Sequence, residues 1–185
     1  MDVLFDGGVE VHYGFLYLQP SEADAEIDLI DARAGQANGL CGAAHPGVLA
    51  MITGLHTGRV PVRVELLAEP PAPVPAEDWE DVVEVSVDLA DADYALTSFD
   101  ALHPLDLPAG PHRARWLARG MDAARETDVS DGSEDIDRYL LQLWPAPPGA
   151  EAVIRRGSEI AAYWDQVAAE TVPQPRSAAA GSPLA

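Results

Sequence analysis

Lysine is absent from this 185-residue sequence, and cysteine occurs once. All eleven basic residues are arginine, set against 31 aspartates and glutamates, for a formal charge of −20. Each shortage excludes something. One cysteine leaves no internal disulfide framework and no thiolate-rich zinc site. Without lysine there is no phosphate loop of the G-x-x-x-x-G-K-[ST] type. The negative excess opposes direct binding to nucleic-acid phosphates or anionic membranes, which carry the same sign. No apolar run approaches the roughly 20 residues that a membrane helix needs. Met1 to Gly8 carries Asp2 and Asp6 and no base, Arg33 being the first, so the positive start of a secretory leader is missing and a cytoplasmic location is expected.

What is present is an apolar middle. With 48% hydrophobic residues and twelve aromatics the chain can bury one core, and a single domain over residues 1–170 is expected. Residues 171–185 are dominated by proline, serine, alanine and glycine without periodicity and read as a disordered tail. Apolar and polar residues alternate over Val9 to Leu18, Val60 to Leu66, Val83 to Leu89, His112 to Arg119 and Tyr139 to Leu143. Each run predicts a strand buried on one face. Val48 to Leu55 and Tyr94 to Phe99 predict two more. Turn signals separate them: Gly7-Gly8, Gly58, Pro70 to Pro75, Pro108 to Pro111 and Asp131-Gly132. The expected fold class is all-β, an antiparallel, jelly-roll-like β-sandwich. One helix, Ser158 to Glu170, should close it with Ile160, Tyr163, Trp164 and Val167 as its apolar stripe, and Asp24 to Ala34 could add a short second one.

The segment Gly35 to Ala43 is the most unusual in the chain. A lone cysteine in a glycine-rich turn raises a thiol nucleophile, with Gln36, Asn38, Cys41 and the distant His56 as the candidate site of a ligand-binding or enzymatic sandwich. The papain-type spacing fails, because Gln36 stands five rather than six residues before Cys41. A small buried residue in a tight loop is the other reading of Cys41. The five histidines form no dense ligand set and the cupin pattern is missing, so neither a metal nor another cofactor is expected. The acidic run Asp128 to Asp137 fails the EF-hand register and reads as a solvated loop.

Charge distribution says more than any motif. Residues 1–32 hold eight acids and no base, and residues 72–98 hold another eight and no base. Converging on one face, such blocks would steer a basic protein partner onto it. Glu77, Asp78, Trp79, Glu80 and Asp81 are the predicted partner-binding residues, the tryptophan serving as anchor. Acids scattered for solubility are the plain alternative, and the missing lysine reads as compositional bias rather than chemistry. The sequence carries no signal for oligomeric state.

Several segments, among them Gly35-Gln-Ala-Asn-Gly-Leu-Cys-Gly42, Thr53-Gly-Leu-His-Thr-Gly58 and Ser158-Glu-Ile-Ala-Ala-Tyr-Trp164, resemble an uncharacterised actinobacterial protein family to which no activity attaches. Leu107-Pro-Ala-Gly110 and Tyr139-Leu-Leu-Gln-Leu-Trp-Pro145 in the second half are similar to the competence protein J type of nuclease inhibitors. That resemblance implies an acidic sandwich; with the −20 charge, the clustered acids and no complete catalytic set, the expected function is a non-enzymatic binding protein, an inhibitor or immunity protein for a basic nuclease or toxin. The resemblance carries over no functional residues.

Overall fold

The computed structural model describes residues 1–22, 27–73, 78–99 and 101–173. Eleven strands appear among them: β1 (Asp2–Val11), β2 (Phe15–Pro20), β3 (Cys41–Gly42), β4 (Leu49–Ile52), β5 (Gly58–Leu66), β6 (Asp81–Leu89), β7 (Tyr94–Thr97), β8 (Leu102–Leu105), β9 (Gly110–Arg119), β10 (Arg138–Pro145) and β11 (Ala152–Arg155). Two α-helices, α1 (Met121–Thr127) and α2 (Glu159–Glu170), and one 3-10 turn, Asp31–Arg33, complete the set. The predicted short helix survives only as that turn, with residues 24–26 outside the described ones. Most of the predicted tail, 174–185, also lies outside them. Among the described residues no helix is long and apolar enough to cross a membrane.

The strands form two sheets, β1-β5-β10-β9-β6-β11 and β3-β4-β2-β7-β8, so the fold is an all-β sandwich. It is not purely antiparallel. Strand β10 runs parallel to β5 and antiparallel to β9, which makes the larger sheet mixed. Alternation locates the half-buried strands because each turns one face to the core. Val60, Val62 and Val64 of β5, Val83, Val85 and Val87 of β6, and Ala114, Trp116 and Ala118 of β9 all point inward. The Trp116 indole lies flat on the Tyr139 ring, with centroids 5.0 Å apart. Opposite them stand Leu16 and Leu18 of β2, Leu49 and Met51 of β4, and Leu96 of β7.

The run Val9 to Leu18 is two strands rather than one, and they belong to different sheets. Tyr13 (φ 61°) and Gly14 (φ 72°) turn the chain sharply between them. The odd residues Val9 and Val11 face the core before the turn, and the even residues Leu16 and Leu18 after it. This change of parity carries Phe15 and Tyr17 to the outer face, where they are half-buried. At the far edge, β8 carries Pro104. Ser98 N–H bonds to Ala101 C=O, and ladder alternation from that pair turns Pro104 away from β7. A proline on the open side blunts that edge against strand addition.

The outer face of the larger sheet is charge-paired. Glu84 on β6 accepts from Arg113 Nη2 (3.2 Å) and Arg115 Nη2 (2.7 Å) across the β6–β9 ladder. Both arginines are buried, and Arg113 and Arg115 also donate to the backbone of Gly149 and Ala72. One carboxylate thus bridges two of the arginines on this face of β9, and backbone carbonyls take up further donors. Helix α2 is capped by Ser158, whose Oγ accepts from Ala161 N–H (3.1 Å). Its buried stripe is Ala161, Asp165 and Ala168, while Tyr163 is exposed and Ile160 and Trp164 are half-buried. Small residues face inward because the helix backbone itself reaches the sandwich: a Cβ on Gly39 would sit 2.0 Å from the Trp164 carbonyl.

Candidate functional site

The residues predicted to meet a partner begin at the entry to β6. Glu77 lies outside the described residues. Asp78 is exposed, and its backbone carbonyl accepts from Arg119 and Arg138. Trp79 is half-buried under the Arg138 guanidinium, 5.2 Å from the ring centroid, and its carbonyl accepts from Arg155. Glu80 is exposed, yet its carboxylate accepts from Gly120 N–H (2.8 Å). Asp81 corrects the prediction outright: it is fully buried. Its Oδ1 accepts from Gly157 N–H (2.7 Å) and Ser158 N–H (3.2 Å), and its Oδ2 from Ser158 Oγ–H (2.6 Å). The segment is a latch between β6 and the start of α2, ringed by arginines, rather than an open negative patch.

The loop from Gln36 to Cys41 is also fastened internally. Glu151 accepts from Ala37 N–H (2.6 Å), Asn38 Nδ2 (2.8 Å) and Gln36 Nε2 (3.3 Å). Asn38 Oδ1 holds Cys41 N–H (2.8 Å), and Gln36 Oε1 holds Ala43 N–H (2.7 Å). Asp165 of α2 accepts from Gly39 N–H (2.6 Å) and pairs with Arg156. The amides of Gln36 and Asn38 are spent on the loop and on Glu151. His56 sits in another neighbourhood, edge-on to Tyr13 at 5.3 Å with its Nδ1 2.9 Å from Thr57 Oγ1.

Cys41 is wholly buried, and burial pushes its thiol up to about 12 in spite of the Arg33 guanidinium beside it. A thiol so far from ionisation is not a nucleophile, which corrects the catalytic reading. Arg33 is itself pulled down to about 10 by burial, its Nε bonded to Leu29 C=O and its guanidinium 5.2 Å over Trp164. At pH 8 a thiol reagent should label the folded protein at least about a thousandfold more slowly than the unfolded chain, because access requires opening of the core. Linkage gives a second readout. Because the folded thiol titrates above its ordinary value of 9.0, the stability that its neutral form contributes is complete below pH 9 and is lost as pH rises toward 12. Urea denaturation should show Cys41→Ala without that loss, worth about 1.4 kcal/mol by pH 10.

The charged site that sequence reasoning missed is a groove of about 960 Å³ beside β7 and β8. Glu22, Asp91, Asp93 and Asp106 line it with Leu102, Pro104 and Leu107, and no base does. All four carboxylates belong to exposed residues. Glu22 comes from the first base-free block and Asp91 and Asp93 from the second, so these two stretches do meet in space. The available signal was that convergence of blocks, and the sandwich topology was needed to locate it. Among the described residues no group of three histidine, cysteine or acidic side chains could hold a metal ion.

No protein-family model matches this chain, and no curated protein does. Among solved structures its fold is similar to that of ComJ from Bacillus subtilis, an inhibitor of the DNA-degrading activity of NucA. The TM-score is 0.52 at 11% identity, covering 78% of this chain and 98% of ComJ. The crocagin biosynthetic gene J protein aligns at a TM-score of 0.47 and 16% identity, over 80% of this chain and 100% of its own. At such identities the likeness is one of fold.

Proposed function

We propose that this chain is a non-enzymatic acidic binding protein that inhibits a basic nuclease or toxin in the cytoplasm. The acid-only groove beside β7 and β8 carries the reading: four exposed carboxylates in one concavity raise the local concentration of a cationic surface and speed its docking. The fold it shares with ComJ, itself a nuclease inhibitor, supports the same class of activity. The rival site around Cys41 contributes no free nucleophile and no free amide.

The test is a DNA-digestion assay with a basic nuclease of the NucA kind from the same genome, titrated with this protein. Inhibition is expected to weaken steeply between 50 and 500 mM salt. The triple variant Asp91→Asn, Asp93→Asn, Asp106→Asn should associate on the order of 10-fold more slowly at low salt, with no change in thermal midpoint, because all three residues are exposed. Undiminished digestion at saturating protein would sink the proposal. So would inhibition indifferent to both salt and the triple substitution.

A further inference from the structure

Attraction by charge gives a fast encounter but a loose one, so a tight complex needs an apolar anchor nearby. We infer that the end of the sandwich formed by Tyr13, Phe99 and Val129 is that anchor, packing against the basic partner that the groove attracts. The inference rests on the inhibitor reading above. Three distant segments build the patch: the β1–β2 turn, the β7–β8 turn and the stretch after α1. Their large side chains stay 64%, 69% and 60% exposed. The turns are tied together. The His12 and Phe99 rings lie 5.4 Å apart, Ser98 Oγ–H bonds to Glu10 C=O, and Thr57 bridges to Val129 beside the His56 that meets Tyr13.

The backbone beneath is strained and pinned. Tyr13 (φ 61°) and Asp128 (φ 64°) are the non-glycine residues with positive φ among those described, and both lie in this patch. A bulky side chain in that region is disfavoured and persists where neighbours over-determine it. Here Asp128 C=O accepts from both His56 N–H (3.1 Å) and Thr57 N–H (3.0 Å), and Gly14 N–H bonds to His56 C=O (2.9 Å). From below, Tyr139 Oη accepts from Gly54 N–H (2.6 Å), and Asp137 Oδ2 from Leu55 N–H (3.0 Å). The Tyr13 ring meets His56 at an edge and Phe15 at a face and stays largely exposed. A rigid, exposed aromatic ring is what a contact surface needs.

The partner's chemistry follows from what adjoins the patch. Leu102, opposite Thr97 across the β7–β8 turn from Phe99, lines the acidic groove, so anchor and groove are continuous along β8. Glu10, Asp128 and Asp131 are exposed on the rim, while the head of Arg59, the base cross-strand from Glu10, is directed over Gly8. A surface combining arginines with apolar side chains fits both parts, the guanidinium stacking on an aromatic face while its neighbours meet carboxylates.

Binding kinetics against the same immobilised nuclease, read at 50 and 150 mM salt, separate the two surfaces. Tyr13→Gly and Phe99→Ala should each speed dissociation about 30-fold while leaving the association rate and its salt slope unchanged. The triple groove variant should do the reverse. Tyr13→Gly guards against misfolding as an explanation: glycine takes φ 61° freely, so its thermal midpoint should not fall. If the folded ring variants dissociate as slowly as the natural chain, the anchor is overturned while the inhibitor reading stands. If the natural chain does not bind the nuclease at all, both fall.

Discussion

Replacing Asp81 by alanine is expected to lower stability by about 4 kcal/mol, whereas Asp78→Ala, three residues earlier and of the same charge, should cost less than about 0.5 kcal/mol. The difference follows from what each carboxylate touches. Asp81 is fully buried and satisfies two backbone N–H groups and one hydroxyl at Gly157 and Ser158. A buried donor left without its acceptor costs about 1 to 3 kcal/mol, and the two donors of buried Ser158 lose theirs at once, while exposed Gly157 can turn to water. The loss spreads, because the same Ser158 hydroxyl caps α2. Asp81→Asn keeps one oxygen and should fall between the two. Urea denaturation of the three variants decides the matter: an Asp81→Ala protein as stable as Asp78→Ala would remove the latch from the account. Binding experiments on this segment should avoid Asp81, whose substitution weakens the scaffold itself.

How far the sequence could be read depended on how each residue is buried. Strands β5, β6, β9 and β10 were legible because one face of each meets the core and the other does not. Strand β8, with Pro104 in four residues, and the two-residue β3 are too short to alternate visibly. The β1–β2 turn was hidden because Tyr13, Phe15 and Tyr17 continue the odd-numbered pattern of Val9 and Val11. Only the positive φ of Tyr13 reveals that the continuation belongs to the other sheet and faces outward. On α2 the predicted stripe holds in part: Ile160 and Trp164 pack half-buried against the core and Val167 is half-buried, but Tyr163 is exposed, and the close approach puts Ala161, Asp165 and Ala168 innermost. The acidic groove was half legible. Its blocks stand out in the sequence, but the meeting of Glu22 with Asp91 and Asp93 is a property of topology. Asp78 and Asp81 look alike in sequence, and nothing local distinguishes the exposed carboxylate from the buried one.

The loop around Cys41 drew attention for its thiol, and its glycine proves the more consequential residue. Gly39→Ala is expected to destabilise the protein by more than about 4 kcal/mol, or to detach α2 while the sandwich remains folded. Gly39 needs no unusual dihedral; it is absent from the positive-φ glycines. Its cost is purely steric, since a Cβ would stand 2.0 Å from the carbonyl carbon and oxygen of Trp164 and 2.5 Å from Asp165 N. Those are backbone atoms of a helix and cannot rotate aside as a flexible side chain would, so the whole element must move. Movement breaks the bonds that seat it: Gly39 N–H to Asp165, Gly35 N–H to Ala168 C=O, and the Arg33 guanidinium over Trp164. Arg33 would then be buried without its aromatic partner, a further cost to a cation already short of acceptors at Nη1. Gly110 supplies the contrast. It has φ +114° with nothing within 4 Å of a would-be Cβ, so Gly110→Ala carries only the conformational cost, about 1 to 2 kcal/mol. Tryptophan fluorescence and hydrogen exchange along residues 159–170 distinguish the outcomes, because a detached helix loses protection while β5, β9 and β10 keep theirs. Equal losses at the two glycines would mean that α2 yields easily. The close packing of its backbone on the loop would then contribute little to the fold.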